Sequence, residues 1–93
     1  MKTDYQNTII LTIRSIREKN GCNQASLAKL LNISDGHMGN IESPKTSHKY
    51  TLAQISRICK HFNVPVSQVF GVKATETAAA IDELIDNIVK YTE

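Results

Sequence analysis

A chain of 93 residues, 41% hydrophobic and 22% charged, is long enough to fold around one core without staples and too short to build two. Two cysteines are too few for a disulfide scaffold, and no apolar run approaches the roughly 18 residues of a membrane-spanning helix. The net charge of +2 conceals a split, because residues 1–70 carry nine Lys and Arg against four Asp and Glu, whereas residues 71–93 carry two against five; a basic body with an acidic appendage suits a body that faces phosphates.

The first predicted element is a helix. Thr3 and Gln6 have capping-box spacing, and Ile9, Ile10, Ile13 and Ile16 continue as a helical stripe to about Lys19. Asn20-Gly21 ends it, with Gly supplying a left-handed residue. Arg17 falls on the side of this helix that can turn inward. Lys2 is followed by Asp4, Gln6 and Asn7, which is not the pattern of a signal peptide. With Cys22 and Cys59 both accounted for on apolar positions, the expected setting is a reduced cytoplasm.

Asn23 to Glu42, NQASLAKLLNISDGHMGNIE, reads as two short helices joined by a tight turn. Asn23 and Ser34 are good N-caps, with Cys22–Leu27 and Ile33–Met38 as the accompanying hydrophobic staples. Asn32 tolerates the positive φ at which the first helix must stop. Leu27, Leu30 and Leu31 make one apolar face and Met38 and Ile41 the other, while small Ala28 lets the helices approach. Two helices at a steep angle across so short a turn form a helix-turn-helix. Asp35, Gly36, His37, Gly39 and Asn40 are left on the outer side of the second helix.

Ser43 to Tyr50 is a polar loop with Pro44 as a helix stop and Lys45, His48 and Lys49 spread along it. Thr51 and Gln54 form a second capping box, Tyr50 and Ile55 a staple, and Leu52, Ile55, Ile58, Cys59 and Phe62 a core stripe ending at Asn63. Pro65 to Phe70 gives a further short helical turn closed by Gly71. After a hinge at Val72 to Thr75, a sixth helix carries Ile81, Leu84, Ile85 and Ile88 at i, i+3, i+4 and i+7, with Asp82, Glu83, Asp86 and Asn87 opposite. That stripe either packs on its own body or dimerises with a second copy. The predicted division is a DNA-binding domain over residues 1–71 and a dimerisation or docking helix over 72–93.

Gly21-Cys22-Asn23-Gln24-Ala25-Ser26-Leu27-Ala28, the Ile33-Ser34 turn, Met38 to Glu42, and Phe62-Asn63-Val64 followed by Val69-Phe70 together resemble the Cro and phage-repressor type helix-turn-helix proteins. The resemblance covers about residues 9 to 70. It implies an all-α, five-helix domain, dimeric on pseudo-palindromic operators, with the second helix of the motif in the major groove. It also implies an interior ion pair between Arg17 and Glu42. Asn23 and Gln24 match the family's phosphate-binding start of the motif. Ser34, Asp35, Gly36, His37 and Asn40 match its DNA-facing positions, and Ser43, Lys45 and Thr46 its backbone-holding loop. The loop is about two residues longer than the common pattern.

Asn40 is the foremost base-reading candidate, because its amide can bond adenine N6 and N7 together. His37 follows it, Asp35 is restricted to cytosine N4, and Lys45 and Lys49 are expected on phosphates. Two glycines in so short a helix cost about 1 kcal/mol each relative to Ala. That cost points to close approach of the backbone to DNA or to a neighbouring helix. Cys59 and His61 diverge and do not form a metal site with His48 or Cys22. No nucleophile, base and acid fall at a spacing that predicts convergence, so neither an enzyme nor a cofactor is expected. The predicted function is therefore a dimeric, sequence-specific transcriptional repressor with double-stranded DNA as partner and no membrane contact. The alternative is an antitoxin-like or adaptor module whose chief partner is another protein, docked on the last helix.

Overall fold

A computed structural model of the chain describes residues 1–73 and 76–93. Its helices are α1 (Asp4–Lys19), α2 (Gln24–Leu31), α3 (Asp35–Glu42), α4 (Leu52–Phe62), α5 (Val66–Val69) and α6 (Ala78–Thr92), and among the described residues there is no strand. Local chemistry sets their boundaries. Thr3 and Thr51 each close a complete capping box with Gln6 and Gln54. Asn23 accepts from the Ser26 N–H at 2.8 Å and Ser34 from the His37 N–H at 3.0 Å. At the other ends, Asn32 (φ 57°) and Asn63 (φ 55°) take the left-handed conformation that lets a helix stop abruptly. Each is followed by a residue whose N–H reaches back into the helix, Ile33 to Ala28 O and Val64 to Cys59 O.

The apolar stripes converge on one core. Ile13, Leu27, Met38 and Ile41 are fully enclosed, with Ile9, Ile10, Ile55, Ile58, Val69 and Phe70 around them. Helices α2 and α3 pack on each other, α3 also on α1 and α2 also on α4, while the face of α3 that carries Asp35, Gly36, His37 and Asn40 stays exposed.

Helix α6 adds to this core through one of its two apolar stripes. Tyr91 is buried, its hydroxyl donating to Tyr50 O at 2.9 Å, while its own carbonyl accepts from Gln6 Nε2 at 2.7 Å. Asn87 donates to Phe70 O at 2.8 Å, and the Lys90 ammonium stands 4.5 Å over the Tyr5 ring. Leu84 and Ile88, which the sequence groups with Ile81 and Ile85, pack against the chain's own core. Ile81, Ile85 and Val89 stay outside, each about half exposed. The physical reason lies in Tyr91: it falls at i+7 from Leu84, and burying its large ring turns the 84–88–91 line inward, leaving 81–85–89 roughly 100° round the helix. Of the hinge expected over Val72 to Thr75, residues 74 and 75 lie outside the described residues; Val72 is buried and its N–H donates to Ser67 O at 2.8 Å.

Candidate nucleic-acid interface

Helix α3 holds the core through two apolar side chains of its own, Met38 and Ile41. It is eight residues long, contains Gly36 and Gly39, and contributes only Met38, Ile41 and Glu42 to the interior. Neighbours also fix its position. The Arg17 guanidinium grips the Glu42 carboxylate with two parallel bonds, Nε to Oε2 and Nη2 to Oε1, both 2.8 Å. Its remaining Nη1 donates to Cys22 O at 3.0 Å, so one side chain joins α1, the start of the motif and the end of α3. Both partners are buried, with side chains 7% and 3% exposed. Burial pushes the Glu42 carboxyl upward, but hydrogen bonds from Arg17 and Gln24 and the guanidinium charge outweigh it and hold the group below the ordinary carboxylate range. Tyr50 braces the same helix from the loop, its hydroxyl donating to Met38 Sδ at 3.7 Å.

With Met38 and Ile41 inward, Asp35, Gly36, His37 and Asn40 stand exposed on the outer face, and Gly39 is half-buried between them. A Cβ built on Gly36 or Gly39 would meet nothing within 4 Å. Of the two reasons offered for these glycines, close packing of a neighbouring helix is thus removed. The His37 and His48 rings meet edge to face at 5.3 Å, bringing the loop over the start of α3. A shallow groove lined by Asn23, Ser26, Lys29, Ile33 and Asp35 runs between the N-termini of α2 and α3.

Several predicted contact residues already have partners in the protein. Gln24 Nε2 donates to Glu42 Oε1 at 2.9 Å, so its side chain ties the exposed start of α2 to the buried pair. The Ser43 hydroxyl accepts from the Lys45 N–H at 3.2 Å, and the Thr46 hydroxyl donates to Asn40 O; both shape the loop. Lys49 also has partners within the protein. Its ammonium lies 3.3 Å from Tyr91 O and 3.4 Å from Thr92 O, and 5.6 Å over the Tyr91 ring. The orphan carbonyls and negative dipole end of α6 draw it away from the outer face. Lys45 remains exposed.

Two lysines at this surface escape the sequence reading. Lys29 follows from the α2 pattern as an outward residue near Asn23, a signal that was available. Lys2 does not follow from any pattern: it is 8% exposed, and its ammonium sits against the C-terminal end of α3, near residues 38 to 44 positions away in sequence. Among the described residues no group of three or more His, Cys, Asp or Glu is placed to hold a metal ion, and no helix is long and apolar enough to cross a membrane.

The family model for the Cro/C1-type HTH DNA-binding domain matches residues 12–75. No curated protein and no solved structure matches the chain. The family match runs from the second half of α1 through α5, the same elements that hold α3 with its polar face outward. The chain therefore belongs to the Cro/C1-type helix-turn-helix DNA-binding family, and its function is that of a DNA-binding transcription regulator.

Proposed function

We propose that the protein is a sequence-specific repressor that binds operator DNA as a homodimer, with α3 in the major groove. The observation that carries this reading is the outer face of α3. It is polar, carries two glycines, stays exposed at Asp35, Gly36, His37 and Asn40, and is backed by a buried ion pair. In this reading Asn40 reads a base edge, with His37 and Asp35 beside it. Asn23, the α2 N-terminus with Gln24, Ser34, Lys29, Ser43, Lys45 and Thr46 hold the sugar-phosphate backbone. Gly36 and Gly39 allow close approach of the helix backbone to DNA, since no protein neighbour needs the space. Residues 1–71 form the DNA-binding body and 72–93 the helix that meets the second copy, through Ile81, Ile85 and Val89. The site of action is the cytoplasm, on the nucleoid.

Selection of bound duplexes from a random pool tests the reading. A dimer with two α3 helices in successive major grooves yields two related half-sites whose centres are about 10 base pairs apart, or a multiple of that. Binding at low salt with no sequence enrichment overturns the operator reading, and enrichment of a single half-site overturns the dimer.

One observation favours a second reading. The half-exposed Ile81, Ile85 and Val89 lie on an acidic helix, which also suits an antitoxin-like or adaptor module bound to another protein. Failure to retard any duplex at low salt, together with a stoichiometric protein partner, selects this alternative.

A further inference from the structure

Helix α3 has no basic residue in its last turn, although its terminal carbonyls are orphans and its dipole favours a cation there. The cation comes from outside the motif. The Lys2 ammonium donates to Ile41 O at 2.8 Å, to Asn40 O at 3.2 Å and to Ser43 O, with Thr46 Oγ1 at 3.4 Å. Three ammonium protons thus meet three carbonyls, and the Thr46 hydroxyl closes the arrangement by donating to Asn40 O. These carbonyls belong to the outward-facing Asn40, to its neighbour in the core, and to the first residue of the loop that carries Lys45. Where Lys2 holds them, the side chains of Asn40 and Lys45 are aimed.

We propose that Lys2 is a positioning residue for DNA recognition: a tether that fixes the end of α3 and the loop after it while touching neither base nor phosphate. The proposal rests on the DNA-binding reading above. Its chemistry separates it from an ordinary basic contact. A lysine that neutralises a phosphate releases a counterion and adds about 0.9 to the slope of log affinity against log salt. An ammonium saturated by carbonyls releases none. Its removal lowers affinity at every salt concentration and leaves the slope unchanged.

The test uses the full chain, the duplex that the wild-type protein selects from a random pool, and salt from 50 to 200 mM. Lys2→Met keeps the length of the stem and removes the charge. It is expected to stay folded by circular dichroism, to bind roughly tenfold more weakly, as befits loss of charge-assisted bonds, and to keep the wild-type salt slope. Lys45→Ala, the comparison, lowers the slope by about one. A folded Lys2→Met with wild-type affinity overturns the proposal, and so does one whose slope falls like that of Lys45→Ala. Where Lys2→Met does not fold, the wild-type protein decides. The ammonium protons of Lys2, read through their nitrogen-correlated resonances, are expected to be protected from exchange with water both free and DNA-bound; loss of that protection on adding the duplex means that Lys2 leaves the carbonyls, and the proposal fails. Absence of wild-type binding to any duplex instead overturns the DNA-binding reading, and this role with it.

Discussion

Helix α4 makes its own ends and its own face. Thr51 and Gln54 cap it reciprocally, Asn63 closes it in the left-handed conformation, Lys60 and His61 stand in its last turn, and its inward stripe of Ile55, Ile58 and Cys59 is buried. Helix α3, its predecessor in the chain, buries Met38 and Ile41 but has a side-chain cap only at Ser34, and its end is held from elsewhere: by Arg17 from α1, Tyr50 from the following loop and Lys2 from the start of the chain. The contrast shows how a surface is freed for a ligand. A helix that stabilises itself spends its side chains on caps, charges and packing, whereas one supported by neighbours can keep short, polar or absent side chains over most of its circumference.

The largest expected break in this contrast is at Arg17. Arg17→Met leaves Glu42 buried without its cation and should cost about 3 to 5 kcal/mol in urea unfolding. The same pair sets an acid limit. Because the folded Glu42 carboxyl titrates below the ordinary range, its contribution is complete above the unfolded value of about 4.3 and is lost as pH falls through the folded one. Stability of the wild-type protein should therefore fall on acidification below about pH 4.3, and this fall should be smaller in Arg17→Met, where the depression of the Glu42 pKa is relieved. Next comes Asn40→Ala, with a loss of about 1 to 3 kcal/mol in binding confined to one base pair of the selected duplex. Equal losses on selected and random DNA would assign Asn40 to the backbone instead.

The smaller effects run in opposite directions in the two helices. Thr51→Ala removes a cap from α4 and should lower stability by about 1 kcal/mol, with binding by the folded protein unchanged. Gly39→Ala should raise stability by about 1 kcal/mol, since the new Cβ meets nothing in the protein. It should also weaken DNA binding if the helix backbone lies against the duplex. A melting curve and a titration on each variant separate these outcomes; a Gly39→Ala protein that gains stability and binds as well as wild type would show that the glycine is not needed at the interface.

Local rules made most of the architecture legible. Caps, staples and left-handed asparagines are decided within four or five residues, and so α1 to α5 and the turn at Asn32 could be read directly. What distance alone decides could not. Lys49 looked like any loop lysine until α6 placed carbonyls beside it, and Leu84 and Ile88 could not be told from Ile81 and Ile85 until Tyr91 found its place beneath Tyr50. Lys2 is the extreme case, because nothing in a lysine two residues from the start of α1 encodes a partner some forty residues on. The Arg17–Glu42 pair lies between these limits: periodicity made an inward Arg17 possible, and only the family resemblance supplied Glu42.

The bond from Gln6 to Tyr91 spans 85 residues, and its consequence is an order of assembly. Closing a loop of that length is entropically dearer than forming the turns that join α2 to α3 or α4 to α5. The five-helix body should therefore collapse first and α6 dock last. By the same reasoning α6 is the first segment to open under native conditions, so its amides should exchange with solvent ahead of those in α1 and α4. Each such opening releases Lys49 and exposes the underside of Tyr50, which makes the transient detachment of one helix a molecular event felt at the loop beside α3.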